Sequence, residues 1–172
     1  MYVNTMKFIK ATQDMLEQIN DIYLKCREKL LENGILQWDD HYPNKEYFQE
    51  CIEDGELFVL MENEEIIGHV VLNEWESEEW ETIPWTGTRP FVIHSLMVHP
   101  ATQGKGLGTD FVKLCENFAR EQGYKSIRLD AFTGNVKALH VYEKLGYLKR
   151  GSVFFVSKPE GHQEYFCYEK EL

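Results

Sequence analysis

Apolar residues change their spacing from segment to segment along this chain, and each spacing predicts an element. Lys7–Ala11 reads as a short first strand. From Thr12 to Leu31 the apolar positions are Met15, Leu16, Ile19, Ile22, Tyr23, Cys26 and Leu30, three or four apart as on one face of a helix. Thr12 or Asp14 would cap that helix and Asn33-Gly34 would end it. Pro43–Ile52 predicts a shorter helix closed by Asp54-Gly55. Leu57–Glu62 and Ile66–Asn73 read as strands around the acidic turn Asn63-Glu64-Glu65. Residues 74–90 are polar, aromatic and proline-bearing, a long excursion between strands. Phe91–His99 reads as the central strand. Leu107, Phe111, Leu114, Cys115 and Phe118 then put an apolar stripe on a helix ending near Gly123. Ser126–Phe132 is a further strand and Thr133–Leu145 a further helix, stopped at Gly146. Tyr147–Val156 and Glu164–Lys170 form a closing hairpin over a turn at Lys158–Gly161. The chain contains no repeat, no low-complexity tract and no linker. The expectation is an α/β (α+β) chain forming one domain over residues 1–172, with residues 1–5 frayed.

The junction between the central strand and the next helix carries the first chemical signal. The apolar run stops at Pro100, Gly104, Gly106 and Gly108 follow at alternate positions, and the helix begins. Glycines let a backbone approach a phosphate closely, and free N–H groups at a helix start point at it along the helix dipole. The junction therefore predicts a site for a phosphate-bearing cofactor. The spacing does not supply the Gly-x-x-x-x-Gly-Lys-Ser/Thr of a P-loop. A dinucleotide site would gain an acid from Asp130 but lacks Gly-x-Gly-x-x-Gly and its place at the head of a doubly wound sheet.

Gln103-Gly104-Lys105-Gly106-Leu107-Gly108, after Leu96-x-Val98-x-Pro100, resembles the acetyl-CoA signature of the GNAT superfamily of N-acetyltransferases. Asn135-x-x-Ala138-x-x-x-Tyr142-x-x-x-Gly146-Tyr147 resembles that family's second motif, and the order of predicted elements agrees with it. The resemblance runs from about Lys7 to the end. It implies a central, mixed, mostly antiparallel twisted sheet flanked by about four helices. It also implies an acetyl-CoA-dependent N-acetyltransferase. In that reading the turn Gln103, Gly104, Lys105, Gly106, Leu107, Gly108 and Thr109 takes the pyrophosphate. The backbone of Leu96, Met97 and Val98 pairs with the pantetheine arm, and Asn135, Ala138 and Tyr142 line the far side. Tyr142 corresponds to the tyrosine that protonates the leaving thiolate.

The proton acceptor is less defined. His94 is the candidate, because an ordinary imidazole pKa of ~6.5 suits proton removal near neutrality. Glu74, Asp130 or a chain of water molecules are the rivals. All four tryptophans lie in the first half, outside the cofactor motifs. Trp38 and Trp75, with Glu74 and nearby acids such as Asp39, Asp40 and Glu76, would border the acceptor and hold an ammonium group by cation–π contact and charge. The acceptor is expected to be a primary amine of a small molecule. An N-terminal peptide amine is the alternative, and so, in another class, is a non-catalytic acyl-CoA-binding sensor module; Tyr142 favours the enzyme.

Charge narrows the partners. Eighteen Lys and Arg stand against 29 Asp and Glu, a formal net charge of −11. That argues against nucleic acid, which needs clustered Lys and Arg, and favours cationic small-molecule ligands. No apolar run approaches the ~20 residues that span a bilayer, and no leader pattern opens the chain. Cys26, Cys51, Cys115 and Cys167 are scattered without metal-type spacing, which predicts no metal site and a reduced, cytoplasmic protein. The closing hairpin offers an edge through which a homodimer would form.

Overall fold

A computed structural model describes residues 6–38 and 43–172. The expected fraying at residues 1–5 and the acids Asp39 and Asp40 lie outside the described residues. In chain order the elements are β1 (Met6–Lys10), α1 (Leu16–Glu32), α2 (Lys45–Glu53), β2 (Leu57–Glu62), β3 (Glu65–Asn73), β4 (Pro90–Val98), α3 (Leu107–Glu121), β5 (Ser126–Phe132), α4 (Val136–Lys144), β6 (Leu148–Phe154) and β7 (Glu164–Glu171). The strands form one sheet in the order β1-β2-β3-β4-β5-β7-β6. Neighbours are antiparallel except β4 and β5. A mixed, mostly antiparallel sheet with four helices is what the resemblance implied.

The helix starts differ from expectation in their chemistry. The Thr12 hydroxyl donates to the Asp14 carboxylate, so neither side chain caps a helix N–H. A 3₁₀ turn at Gln13–Met15 leads into α1 instead. At α2 the cap is Asn44, whose Oδ1 accepts from the Tyr47 N–H at 2.8 Å. Each cap of this kind stabilises a helix by ~1 kcal/mol.

Strand periodicity sends consecutive residues to opposite faces. In β2, Phe58 and Leu60 join Phe111, Cys115 and Leu129 under α3 and α4. Leu57 and Val59 join Ile19, Ile22, Phe48 and Met97 under α1 and α2. With helices on both faces, the centre of the sheet is buried on each side.

A third apolar cluster explains the long segment 74–89. Trp80 sits in a 3₁₀ turn at Glu78–Thr82 and packs with Ile83, Val92, Phe132, Val153 and Cys167. Polar clasps fix the rest of the segment. Glu169, fully buried on β7, accepts from Thr86 N at 2.8 Å, Thr86 Oγ1 at 2.9 Å and Gly87 N at 3.0 Å, and pairs with Arg150 at 2.6 Å. Burial raises its pKa, but those donors outweigh burial and hold it below the usual carboxylate range. Arg128 reaches Glu76 at 2.8 Å and the Gly87 carbonyl at 3.0 Å. Gly87 must be glycine, since a Cβ there would meet Ser126 Cβ at 2.8 Å and Glu169 Oε2 at 3.0 Å.

One departure from regular sheet geometry sets up the site. β4 and β5 pair only from Pro90–Ser126 to Val92–Arg128. Beyond that point β4 still pairs with β3 on its other side, and β5 keeps the pairing with β7 that it makes along its whole length. The β3–β4 register slips between His69 and Val71, where β4 has one residue too many, and Ser95 takes φ 51. A non-glycine residue in the left-handed region is strained by ~1 kcal/mol or more. This bulge lies on the stretch whose outer edge has no strand partner.

Candidate active site

The glycine turn has the backbone shape that an anion site needs. Gly104 and Gly106 have φ 86 and 75, conformations that L side chains rarely adopt. Gly108 has no such need, and a Cβ there would meet nothing within 4 Å. Open space over Gly108 is therefore room for a ligand. Gly106 caps α3 without any side-chain hydrogen bond, and the first bond of that helix runs from Asp110 N to Gly106 O at 3.1 Å. The N–H groups of Leu107, Gly108 and Thr109 precede that bond and point outward. Gln103 ties the turn to the strand, donating from Nε2 to the Val98 carbonyl at 3.1 Å. Lys105 is exposed at the rim. These features fit a pyrophosphate, and the unpaired β4 edge beside them fits an extended arm with peptide-like groups.

Where β4 and β5 diverge, a cleft of about 860 Å³ opens. Trp38, Trp75, His94, Leu96, Asn135, Ala138 and Tyr142 all line it, so β4, the second motif and the aromatic segments meet in one place, while none of residues 103–109 is among its lining residues. The Met97 and Val98 side chains are buried in the core instead, and the Val98 carbonyl already accepts from Gln103 Nε2 at 3.1 Å and Cys26 Sγ at 3.2 Å, which leaves a ligand their other backbone groups. Glu74 is not brought to the cleft. Its carboxylate faces Tyr124, whose phenol it helps burial to raise. The chain leaves β3 at Asn73 and turns, which sends Glu74 and Trp75 to different sides.

Tyr142 is 9% exposed and packs edge-on against Tyr147, with centroids 5.7 Å apart. Its hydroxyl has no hydrogen-bond partner among the described residues. Burial, then the charges of Cys115 and Asp130, push its pKa well above the ordinary phenol value. The group keeps its proton throughout the working range and is available only as a donor.

His94 is held on its strand by Asn73. The Trp75 N–H donates to Asn73 Oδ1 at 3.0 Å, which fixes that atom as the acceptor, and His94 Nε2 lies 2.7 Å from it. Nε2 therefore carries the imidazole proton. Burial lowers the His94 pKa to about 4, against a backbone hydrogen bond with Trp75. The ring is neutral at physiological pH and a poor sink for a proton.

Asn135 serves two neighbours. Its Oδ1 caps α4 at Ala138 N (3.3 Å), and its Nδ2 donates to Gln37 Oε1 at 3.1 Å. Lys158 donates to the Gln37 carbonyl at 3.1 Å, so the β6–β7 turn, α4 and the segment after α1 close over the cleft together. Glu56, Asp130 and Lys158 also line it. Of these, sequence reading weighed only Asp130, as a rival proton acceptor. Glu56 and Lys158 carried no signal, because both reach the cleft through turns.

Comparison with known proteins agrees with this geometry. The sequence profile described as the Acetyltransferase (GNAT) family matches residues 16–147. Human N-acetyltransferase 8B is 30% identical over 112 residues, 64% of this chain and 45% of that protein. The chain spans about half the length of the curated relatives it matches. A GNAT-family acetyltransferase of Streptococcus agalactiae superposes with a TM-score of 0.85 at 21% identity, covering 99% of this chain and 98% of that one. YncA of Salmonella typhimurium, solved with its cofactor acetyl-CoA, gives 0.72 at 19% identity over 97% and 94% of the two chains.

Proposed function

The chain belongs to the acetyltransferase (GNAT) family, and from that premise we propose that it moves an acetyl group from acetyl-CoA to the primary amine of a small molecule. The observation that carries this reading is the meeting, in one cleft, of an unpaired strand edge with a phenol that has no hydrogen-bond partner among the described residues. Bound acetyl-CoA supplies an activated acetyl thioester. The N–H groups of Leu107, Gly108 and Thr109 hold its pyrophosphate, and the β4 edge at Leu96–Val98 pairs with its arm. Tyr142 donates its proton to the leaving sulfur. Trp38 and Trp75 flank the acceptor, and His94, neutral and anchored by Asn73, orients the Trp75 wall against which its ring lies at 5.9 Å.

A cleft roofed by Gln37, Asn135 and Lys158 suits a small acceptor better than a folded surface. Four buried, unpaired thiols suit a reducing compartment. Among the described residues no helix is long and apolar enough to cross a membrane. The test is release of CoA thiol from acetyl-CoA against a panel of amines, amino acids and peptides. CoA binding without thiol release for any acceptor would leave a binding module instead of an enzyme.

A further inference from the structure

Among the described residues, Asp130 is the one carboxylate that lines the cleft from the sheet itself. Arg128, Asp130 and Phe132 alternate onto one face of β5, and segment 74–89 covers that face. Trp80 Nε1 donates to Asp130 Oδ2 at 2.9 Å. Asp130 Oδ1 has no hydrogen-bond partner among the described residues, and no cation lies within ion-pair distance of the carboxylate there. The side chain is partly exposed to the cleft, so Oδ1 is a carboxylate oxygen left open on the cleft side to a ligand or to water. Tyr142 feels the Asp130 charge, so phenol and carboxylate share the same interior.

We infer that Asp130 Oδ1 receives the acceptor's ammonium group and then its proton, so the acceptors are cationic primary amines whose apolar or aromatic body lies between Trp38 and Trp75. The inference rests on the amine-acetyltransferase reading above. The atoms balance. One proton of the ammonium passes to Asp130 and leaves with solvent when product departs. The nitrogen–carbon bond forms as the carbon–sulfur bond breaks. Tyr142 protonates the sulfur and regains a proton from the nitrogen as the amide forms. The sum is ammonium plus thioester giving amide, thiol and one proton.

Asp130 is better placed for this than His94. Burial raises its pKa to about 6, while the Trp80 hydrogen bond and Lys158 pull it down and Glu79 pushes it up. Tyr142 on α4 and Cys167 on β7 also face it, both uncharged at neutral pH because burial raises their pKa values. A conjugate acid near 6 accepts a proton at neutrality far more readily than one near 4.

The experiment compares wild type with Asp130→Asn and Trp80→Phe. Binding of phenethylamine, tryptamine and putrescine, with 2-phenylethanol as the neutral control, is followed by tryptophan fluorescence and calorimetry. kcat/KM is followed against pH. Asp130→Asn should weaken amine binding at least tenfold and leave 2-phenylethanol unaffected. It should lower kcat/KM at pH 7 by ~100-fold and abolish the acid limb near pH 6. Trp80→Phe removes a donor to the charged form and should move that limb upward while keeping activity above it. Wild type that binds none of the three amines overturns the inference. So does Asp130→Asn with unchanged amine binding and an unchanged acid limb. Wild type that binds amines through Asp130 but releases no thiol refutes acetyl transfer and leaves the ammonium site standing.

Discussion

Replacing Asp130 by asparagine should make the protein more stable at neutral pH, even as it removes the group that meets the acceptor. Burial raises the carboxyl from its ordinary value near 4 to about 6. A gap of about two units at ~1.4 kcal/mol each is about 3 kcal/mol of destabilisation from the charged form. The side chain is partly open to the cleft, and water there screens some of the charge, so the usable range is about 1–3 kcal/mol. The sign follows from the order of titration. The unfolded chain loses this proton near pH 4 and the folded protein near pH 6, so the penalty is absent below about pH 4, grows between the two and is complete above about pH 6. Asparagine carries no charge and still offers Trp80 Nε1 an acceptor. For a chain of this length the gain is a rise of about 3–10 °C in Tm at pH 7.5, shrinking to near zero at pH 4. Scanning calorimetry of both proteins at the two pH values measures it. A Tm that does not rise at pH 7.5 would refute the argument, and so would an equal rise at both values, which marks a packing effect.

Four further outcomes follow from the site. Gly108→Glu should weaken CoA binding at least 100-fold without backbone strain, because that position has open space; Gly106→Glu would mix the effect with the cost of its positive φ. Unchanged CoA affinity by calorimetry in folded Gly108→Glu would refute the cradle. Tyr142→Phe should lower kcat ~10- to 100-fold with unaltered CoA affinity and Tm, since the lost hydroxyl has no partner among the described residues and a phenol of such high pKa is a modest acid; wild-type kcat would leave Tyr142 a packing residue. His94→Ala should cost the same factor, below ~100-fold, from pH 6 to 9, because a pKa of about 4 keeps the ring neutral throughout; a loss that deepens toward pH 6 would mark a titrating base. Trp75→Ala should raise the acceptor KM ~2- to 30-fold through lost cation–π contact while Tm barely moves, given its 63% exposure; an unmoved KM would place the acceptor elsewhere.

What the sequence disclosed depended on whether a feature is written in neighbouring residues. The glycine turn was legible because its conformation is dictated locally, by positive φ at Gly104 and Gly106 and by a helix that must begin there. Strand positions were legible from apolar runs, and helix starts less so, since Thr12 turned to Asp14 and Asn44 did the capping at α2. Glu169 was not legible at all. It sits in the polar closing run Tyr168-Glu169-Lys170 yet is fully buried, because segment 74–89, far away in sequence, brings its N–H groups to it. Glu74 and Trp75 looked like one acceptor wall, and the turn after Asn73 separates them. Asp130 becomes informative only once strand parity and the placement of Trp80 are both known.

The clasp on Glu169 has a consequence for how such a protein changes partners. The start of α3 and strand β4, proposed to take the cofactor, belong to elements whose residues also fill the central core. Segment 74–89, which lends Trp75, Ser77 and Trp80 to the cleft, hangs on the sheet through Glu169, Arg128 and the buried face of Trp80. Those attachment points fix where the segment crosses and leaves, and none of them uses the exposed ring of Trp75. New side chains at position 75 can therefore be exchanged between fixed anchors that do not depend on its ring. For an engineer this is a graft site with its own fasteners.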